Sequence, residues 1–249
     1  MGKTKKKHIK IKDPEFSTKT HKGTAASPNE IDYHYQKYSN IMDYLKVFVK
    51  KNKIHNVYIA SGNIFNNLVN LNLNNMTIRS LVLNEKKVKA MLKESRSKRF
   101  FPIVLSVDMT DEGVYDSHAN IIIVDNKQKQ IELFEPHGYR TESSELGDIT
   151  AAYNKKERVL KKYFKKLLPD YKFINVVDYV KRTSYQILYD PDDHTGYCVT
   201  WSTLYAEYRL LNPNIKVEEL AKHIDKKITT DLLLRYSHKV EINLKKKDK

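Results

Sequence analysis

Cys198 is the single cysteine of the chain. It stands in "DHTGYCVTWSTLYAEYRLLNP", directly ahead of an apolar run with helical spacing, and Pro213 after Asn212 supplies the stop. A thiol at a helix N-terminus feels the positive end of the macrodipole, which lowers its pKa toward neutrality and favours the nucleophilic thiolate. A thiolate needs a base. "SHANIIIVDNKQKQIELFEPHG" holds two strand-like runs joined by the polar connector "NKQKQ", the length of a hairpin loop. His118 begins the first run and Glu135 ends the second, so an antiparallel pairing makes them neighbours. A carboxylate beside an imidazole fixes its tautomer and stabilises its charged form. Each residue alone has an ordinary structural explanation: a buried cysteine as a small hydrophobe, a strand-start histidine, an edge glutamate. Together they point to nucleophilic catalysis, with Cys198 as nucleophile, His118 as base and Glu135 as its orienter.

These residues need a scaffold. "RFFPIVLSVDM", "SHANIIIVD" and "QIELFEP" read as strands, in which Ile121, Ile123, Ile131 and Leu133 bury the flank of the hairpin. A charged helix over about 145–167, a strand at "YKFINVVDY", a loop from Lys181 to Tyr197, the cysteine helix and a last helix near 217–236 follow. Val199, Trp201, Leu204, Tyr205 and Leu211 are expected to anchor the cysteine helix. Upstream, Ile31, Tyr35, Tyr38, Ile41, Met42, Leu45 and Phe48 recur at three- and four-residue steps, the mark of an amphipathic helix, and "SLVLNEKKVKAMLKESRSK" reads as helical from about Ser80. The expected organisation is a disordered basic tail (1–28), a mostly helical section (29–95), an α+β catalytic core (96–238) and a basic C-terminal tail (239–249).

In its chain order His118, Glu135, Gln186, Cys198, the sequence resembles the adenain and SUMO-protease clan of cysteine peptidases, of the type found in large DNA viruses. The resemblance covers about residues 100–214. It implies a papain-like core in permuted order, with a central mixed sheet flanked by helices, and it implies that Gln186 acts with the backbone N–H of Cys198 as oxyanion donor. It implies no cofactor, and a protein substrate: a ubiquitin-like modifier or a viral precursor. The sequence departs from the clan's pattern at Ala119, where tryptophan is common, at Val199, where glycine is common, and in the twelve-residue step from Gln186 to Cys198.

Other chemistry is open to the same residues. A cysteine thioester also serves acyltransferases, and an inactive peptidase fold could act as a basic nucleic-acid-binding packaging protein. The net charge is +15, to which residues 1–22 contribute eight lysines against Asp13 and Glu15, and residues 239–249 five against Glu241 and Asp248. Such tails bind polyanions without sequence preference. Asp192, Asp193, His194 and Cys198 invite a metal, but one cysteine completes no familiar zinc set and a metal would occupy the nucleophile. His137, beyond the strand end, is expected in a turn. One cysteine excludes an intrachain disulfide and suits a reducing compartment. No apolar stretch approaches the roughly 20 residues of a membrane span, and Lys6 breaks the myristoylation pattern after Gly2. The expected location is intracellular, in host cytoplasm or virion.

Overall fold

The computed structural model describes residues 10–18, 38–59, 68–72, 77–79, 85–111, 114–136, 147–180 and 197–245. Its centre is the hairpin that the β-branched runs demand. β3 (Phe100–Asp111) and β4 (Val114–Asp125) pair antiparallel along their whole length, and β5 (Gln130–Phe134) pairs antiparallel with β4. Asp125 shapes the β4–β5 turn, its Oδ1 accepting from the N–H groups of Lys127 and Gln128 at 3.0 Å each, an Asx-turn geometry. Lys129 completes the turn in the left-handed region at φ 50°.

β1 (Leu68–Asn72) lies parallel to β3, β2 (Thr77–Arg79) caps β1, and β6 (Lys172–Asn175) lies parallel to β5. The six strands form one mixed sheet in the order β2-β1-β3-β4-β5-β6. Helices cover both faces, which is why the central strands read as apolar runs rather than as alternating patterns. One face, with Val104, Ala119, Ile121, Ile123 and Phe134, packs under α1 (Tyr38–Lys51), α4 (Cys198–Leu211), α5 (Val217–Lys227) and α6 (Thr230–Lys245). The other, with Phe101, Leu105, Val107, Ile122 and Leu133, packs under α2 (Glu85–Ser95) and α3 (Gly147–Leu167).

α4 is the central helix, buried on all sides from Cys198 to Leu210. Two ionic clusters seat it. Arg209, 1% exposed, donates through Nε to both oxygens of Glu132 at 2.8 and 2.9 Å and through Nη2 to Asp125 at 3.3 Å. Glu207 accepts from Tyr44 of α1 at 2.7 Å and from Tyr236 and Lys239 of α6 at 2.9 and 2.7 Å. Burial raises the pKa of Glu132, opposed by the charge of Arg209.

The structure corrects the expected organisation in four places. Residues 10–18 are not a loose tail: Lys12 and Asn212 exchange hydrogen bonds at 2.7 and 2.8 Å, Asp13 meets Tyr208 at 3.1 Å and His223 at 2.7 Å, and Pro14 is buried. Phe16 packs edge-on against Tyr236, with ring centroids 6.3 Å apart. The expected helical section is not separate either, since α1 shares the core of α4 and β1 and β2 extend the sheet. The last helix is two, α5 and α6, and α6 runs to Lys245, well into the stretch read as a basic tail. Finally, Ile121 and Ile123 bury one face of the hairpin while Ile131 and Leu133 bury the other, because the sheet has no solvent face here. The strand in "YKFINVVDY" is short, ending at Asn175 in a 3-10 turn over Val176–Tyr179.

Two measurements test this framework. Arg209→Met leaves Glu132 buried without its cation and is expected to destabilise the fold by about 3–5 kcal/mol in urea denaturation. Deleting residues 1–17 is expected to cost on the order of 2 kcal/mol by the same assay, through lost apolar burial and hydrogen bonds; an unchanged midpoint would show that the segment only decorates the surface.

Candidate active site

β4 carries His118, 3% exposed and paired across the ladder with Val107. Glu135, also 3% exposed, is the first residue beyond β5, where Pro136 follows and cannot donate to a ladder. The register Ile121↔Phe134 sets Glu135 alongside Asn120, one diagonal step from His118 on the same face. Their side chains meet: His118 Nε2 lies 2.5 Å from Glu135 Oε1.

A third residue, which the sequence reading did not single out, joins them. Lys156 of α3 is 1% exposed and donates through Nζ to Glu135 Oε2 and, at 2.9 Å, to Asn120 Oδ1. Asn120 is itself wholly buried, and its Nδ2 makes no hydrogen bond among the described residues. A signal for Lys156 exists in the sequence. It stands at the head of the row Lys156, Leu160, Phe164, Leu168, whose four-residue steps face the core.

The Lys156 donor on Oε2 suits an ionised Glu135, which can only accept. The bond then places the histidine proton on Nε2 and leaves the acceptor lone pair on Nδ1. Burial holds the His118 pKa well below the ordinary imidazole range, and the nearby charge of Lys156 pushes the same way. Burial likewise pushes Lys156 well below the usual lysine value, against the opposing charge of Glu157. Both effects on His118 favour the neutral imidazole, the form that accepts a proton.

Cys198 is the first residue of α4 and 7% exposed. Tyr197 at the N-cap makes no side-chain capping hydrogen bond, and the first turn of α4 holds no acid to offset the helix dipole. The helix's course along the sheet fixes where the thiol arrives. Arg209 reaches Asp125 and Glu132, Tyr205 donates to Glu132 at 2.9 Å and stacks on Phe134 at 4.5 Å, and Ser202 donates to the Ala119 carbonyl at 3.3 Å. Cys198 stands one turn before Ser202, in the same buried cluster as Ala119. Strand alternation turns Ala119 toward α4, and His118 with Glu135 toward α3. The structure thus brings His118 and Glu135 into direct contact on the α3 side of the sheet, while Cys198 heads α4 in the opposite layer.

Gln186, His137, Asp192, Asp193 and His194 lie outside the described residues. Among the described residues no group of three or more His, Cys, Asp or Glu is arranged to hold a metal ion, and no helix is long and apolar enough to cross a membrane.

No family model and no curated protein matches the sequence. Solved structures do match the fold. The Legionella pneumophila effector protein RavZ aligns with a TM-score of 0.50 at 12% identity, over 84% of this chain and 63% of that one. ChlaDub1 from Chlamydia trachomatis aligns with a TM-score of 0.47 at 12% identity, over 84% and 93% of the two chains. The SUMO protease Ulp1 aligns with a TM-score of 0.41 at 10% identity, over 86% and 78%. At such identities the likeness speaks for the fold alone, an α+β core with a central mixed sheet flanked by helices, which is the architecture the sequence reading expects.

Proposed function

We propose that the protein is a cysteine peptidase acting through a thioester on Cys198. The observation that carries this reading is the buried contact of His118 Nε2 with Glu135 Oε1 at 2.5 Å. It is supported by the course of α4, whose second turn bonds to Ala119, the neighbour of His118 on β4.

In the reaction, His118 Nδ1 takes the thiol proton while Glu135 holds the ring through Nε2–H. The sulfur attacks the substrate carbonyl carbon, a C–S bond forms, and the carbonyl electrons move onto oxygen. The backbone N–H of Cys198 and, in our reading, the side-chain amide of Gln186 hold that oxyanion, each donor contributing roughly 3 kcal/mol. As the tetrahedral species collapses the C–N bond breaks and the imidazolium protonates the leaving amine. Water then loses a proton to His118, attacks the thioester carbon and displaces the thiol. No cofactor enters. The substrate class we favour is a ubiquitin-like modifier presenting an extended C-terminal tail, or a viral precursor cut within an extended segment. The lysine-rich residues at both ends would tether the enzyme to a polyanion such as nucleic acid.

Full-length protein is expected to form a covalent adduct with a ubiquitin-type or SUMO-type probe carrying a C-terminal electrophile, and Cys198→Ala to form none. Failure of the native chain to react with either probe, together with ordinary thiol reactivity toward iodoacetamide, would remove the modifier reading and the activated thiol at once. On any peptide found to be cut, His118→Ala should lower kcat/KM by about 10³-fold, whereas Glu135→Gln should leave a measurable remainder.

The acidity of the site gives a further expectation. A neutral His118 is the active base, and its folded-state pKa is depressed by burial and Lys156. The acid limb of kcat/KM should therefore lie below the ~6.5 of a free imidazole. The same depression has a stability sign. The unfolded chain protonates this histidine near pH ~6.5 while the folded one does not, so the contribution is present above that pH and is lost as pH falls below it. His118→Gln should flatten the decline of the urea midpoint on acidification.

A further inference from the structure

The ammonium of Lys156 is not called for by cysteine, histidine and glutamate chemistry. A long lysine near a helix surface ordinarily extends its head to water. Here the head points inward and the residue is 1% exposed. An apolar side chain in the row of Leu160, Phe164 and Leu168 would pack without the desolvation penalty that a buried cation carries. What the ammonium does instead is divide one carboxylate. It donates to Glu135 Oε2, while His118 Nε2 holds Oε1. Its second bond, to Asn120 Oδ1 at 2.9 Å, anchors it to β4 two residues from His118 and alongside Glu135.

We propose that Lys156 is a positioning residue of the site: by taking one oxygen of Glu135 and bonding to Asn120, it holds the other oxygen on the Nε2 side of His118. The catalytic meaning of this role rests on the peptidase reading above; the geometry does not. Without the ammonium, Glu135 could turn either oxygen, or both, toward the imidazole and would stabilise its protonated form more strongly. With it, the carboxylate's charge is shared, and His118 stays a proton acceptor. Among the described residues, the charged groups facing this imidazole are Glu135 from the end of β5 and Lys156 from α3. Glu157, next on α3, accepts from Asn175 Nδ2 at 2.9 Å. β3 presents apolar Val107.

The test reads the imidazole directly. Full-length protein is labelled with ¹⁵N-histidine and titrated by NMR, with the His118 signal assigned through its loss in His118→Gln. In Lys156→Met, close in length but uncharged, the His118 midpoint is expected to rise by about one pH unit or more, and the acid limb of kcat/KM to rise with it. An unmoved midpoint in a folded Lys156→Met protein would reduce Lys156 to a packing element and overturn the proposal. Should that variant fail to fold, the native protein still decides. The ¹⁵Nζ signal of Lys156 is expected to shift as His118 titrates, and independence of the two would overturn the proposal equally. The two readings part cleanly. An intact Lys156–His118 coupling with an inert Cys198 would sink the peptidase reading alone, and a reactive Cys198 with no coupling would sink this one alone.

Discussion

The arrangement depends on one buried charge contact, that of Arg209 with Glu132 and Asp125. Arg209 is near the C-terminal end of the central helix, and the two carboxylates stand on adjacent strands beside the β4–β5 turn. A planar guanidinium with directed N–H groups fixes the sliding and rotation of that helix against the sheet far more tightly than apolar packing, which tolerates small displacements. A buried pair of this kind contributes little net stability compared with a well-packed apolar alternative. Its value here is registry. With Arg209 set on the turn and Tyr205 on Phe134, the first residue of the helix has one place to go, at the far end of β4.

At that far end the polar groups are again buried and again paired, but their balance differs. Around Arg209 the charges are matched by several carboxylate and carbonyl acceptors. Around His118 the only described charges that face the ring are one acid and one base, and an orphaned amide of Asn120 lies next to them. The first cluster is a lock, satisfied and static. The second is poised, since moving one proton changes the bonding of three residues. Both depend on the desolvation supplied by helices on each face of the sheet.

What the sequence made legible was what depends on near neighbours in the chain. The strands of the hairpin, the turn, the central helix and the meeting of His118 with Glu135 all follow from runs of a few residues and one short connection. β1 was hidden because "NLVNLNLNN" is rich in asparagine and its partner, β3, lies about thirty residues away across α2. Residues 10–18 were hidden by the lysines on either side: the net charge of residues 1–22 suggested a solvated tail, while the bonds that dock the segment are made to residues such as Asn212 and His223, some 200 positions later. The extension of α6 was readable, because Tyr236, Val240 and Leu244 continue the four-residue step toward the core. Lys156 was readable in the same way, but a lysine in a charged helix is ordinarily assigned to solvent.

The docking of residues 10–18 also bears on how the protein is made. Lys12 bonds to a residue 200 positions later, and Asp13 to one 210 positions later. Contacts of such sequence separation carry the largest loop-closure entropy and form late. During synthesis this segment leaves the ribosome long before α4, α5 and α6, which form its seat. These residues are therefore held in waiting until α6 has been made, and their docking serves as a late clasp on a sheet and central helix already in register.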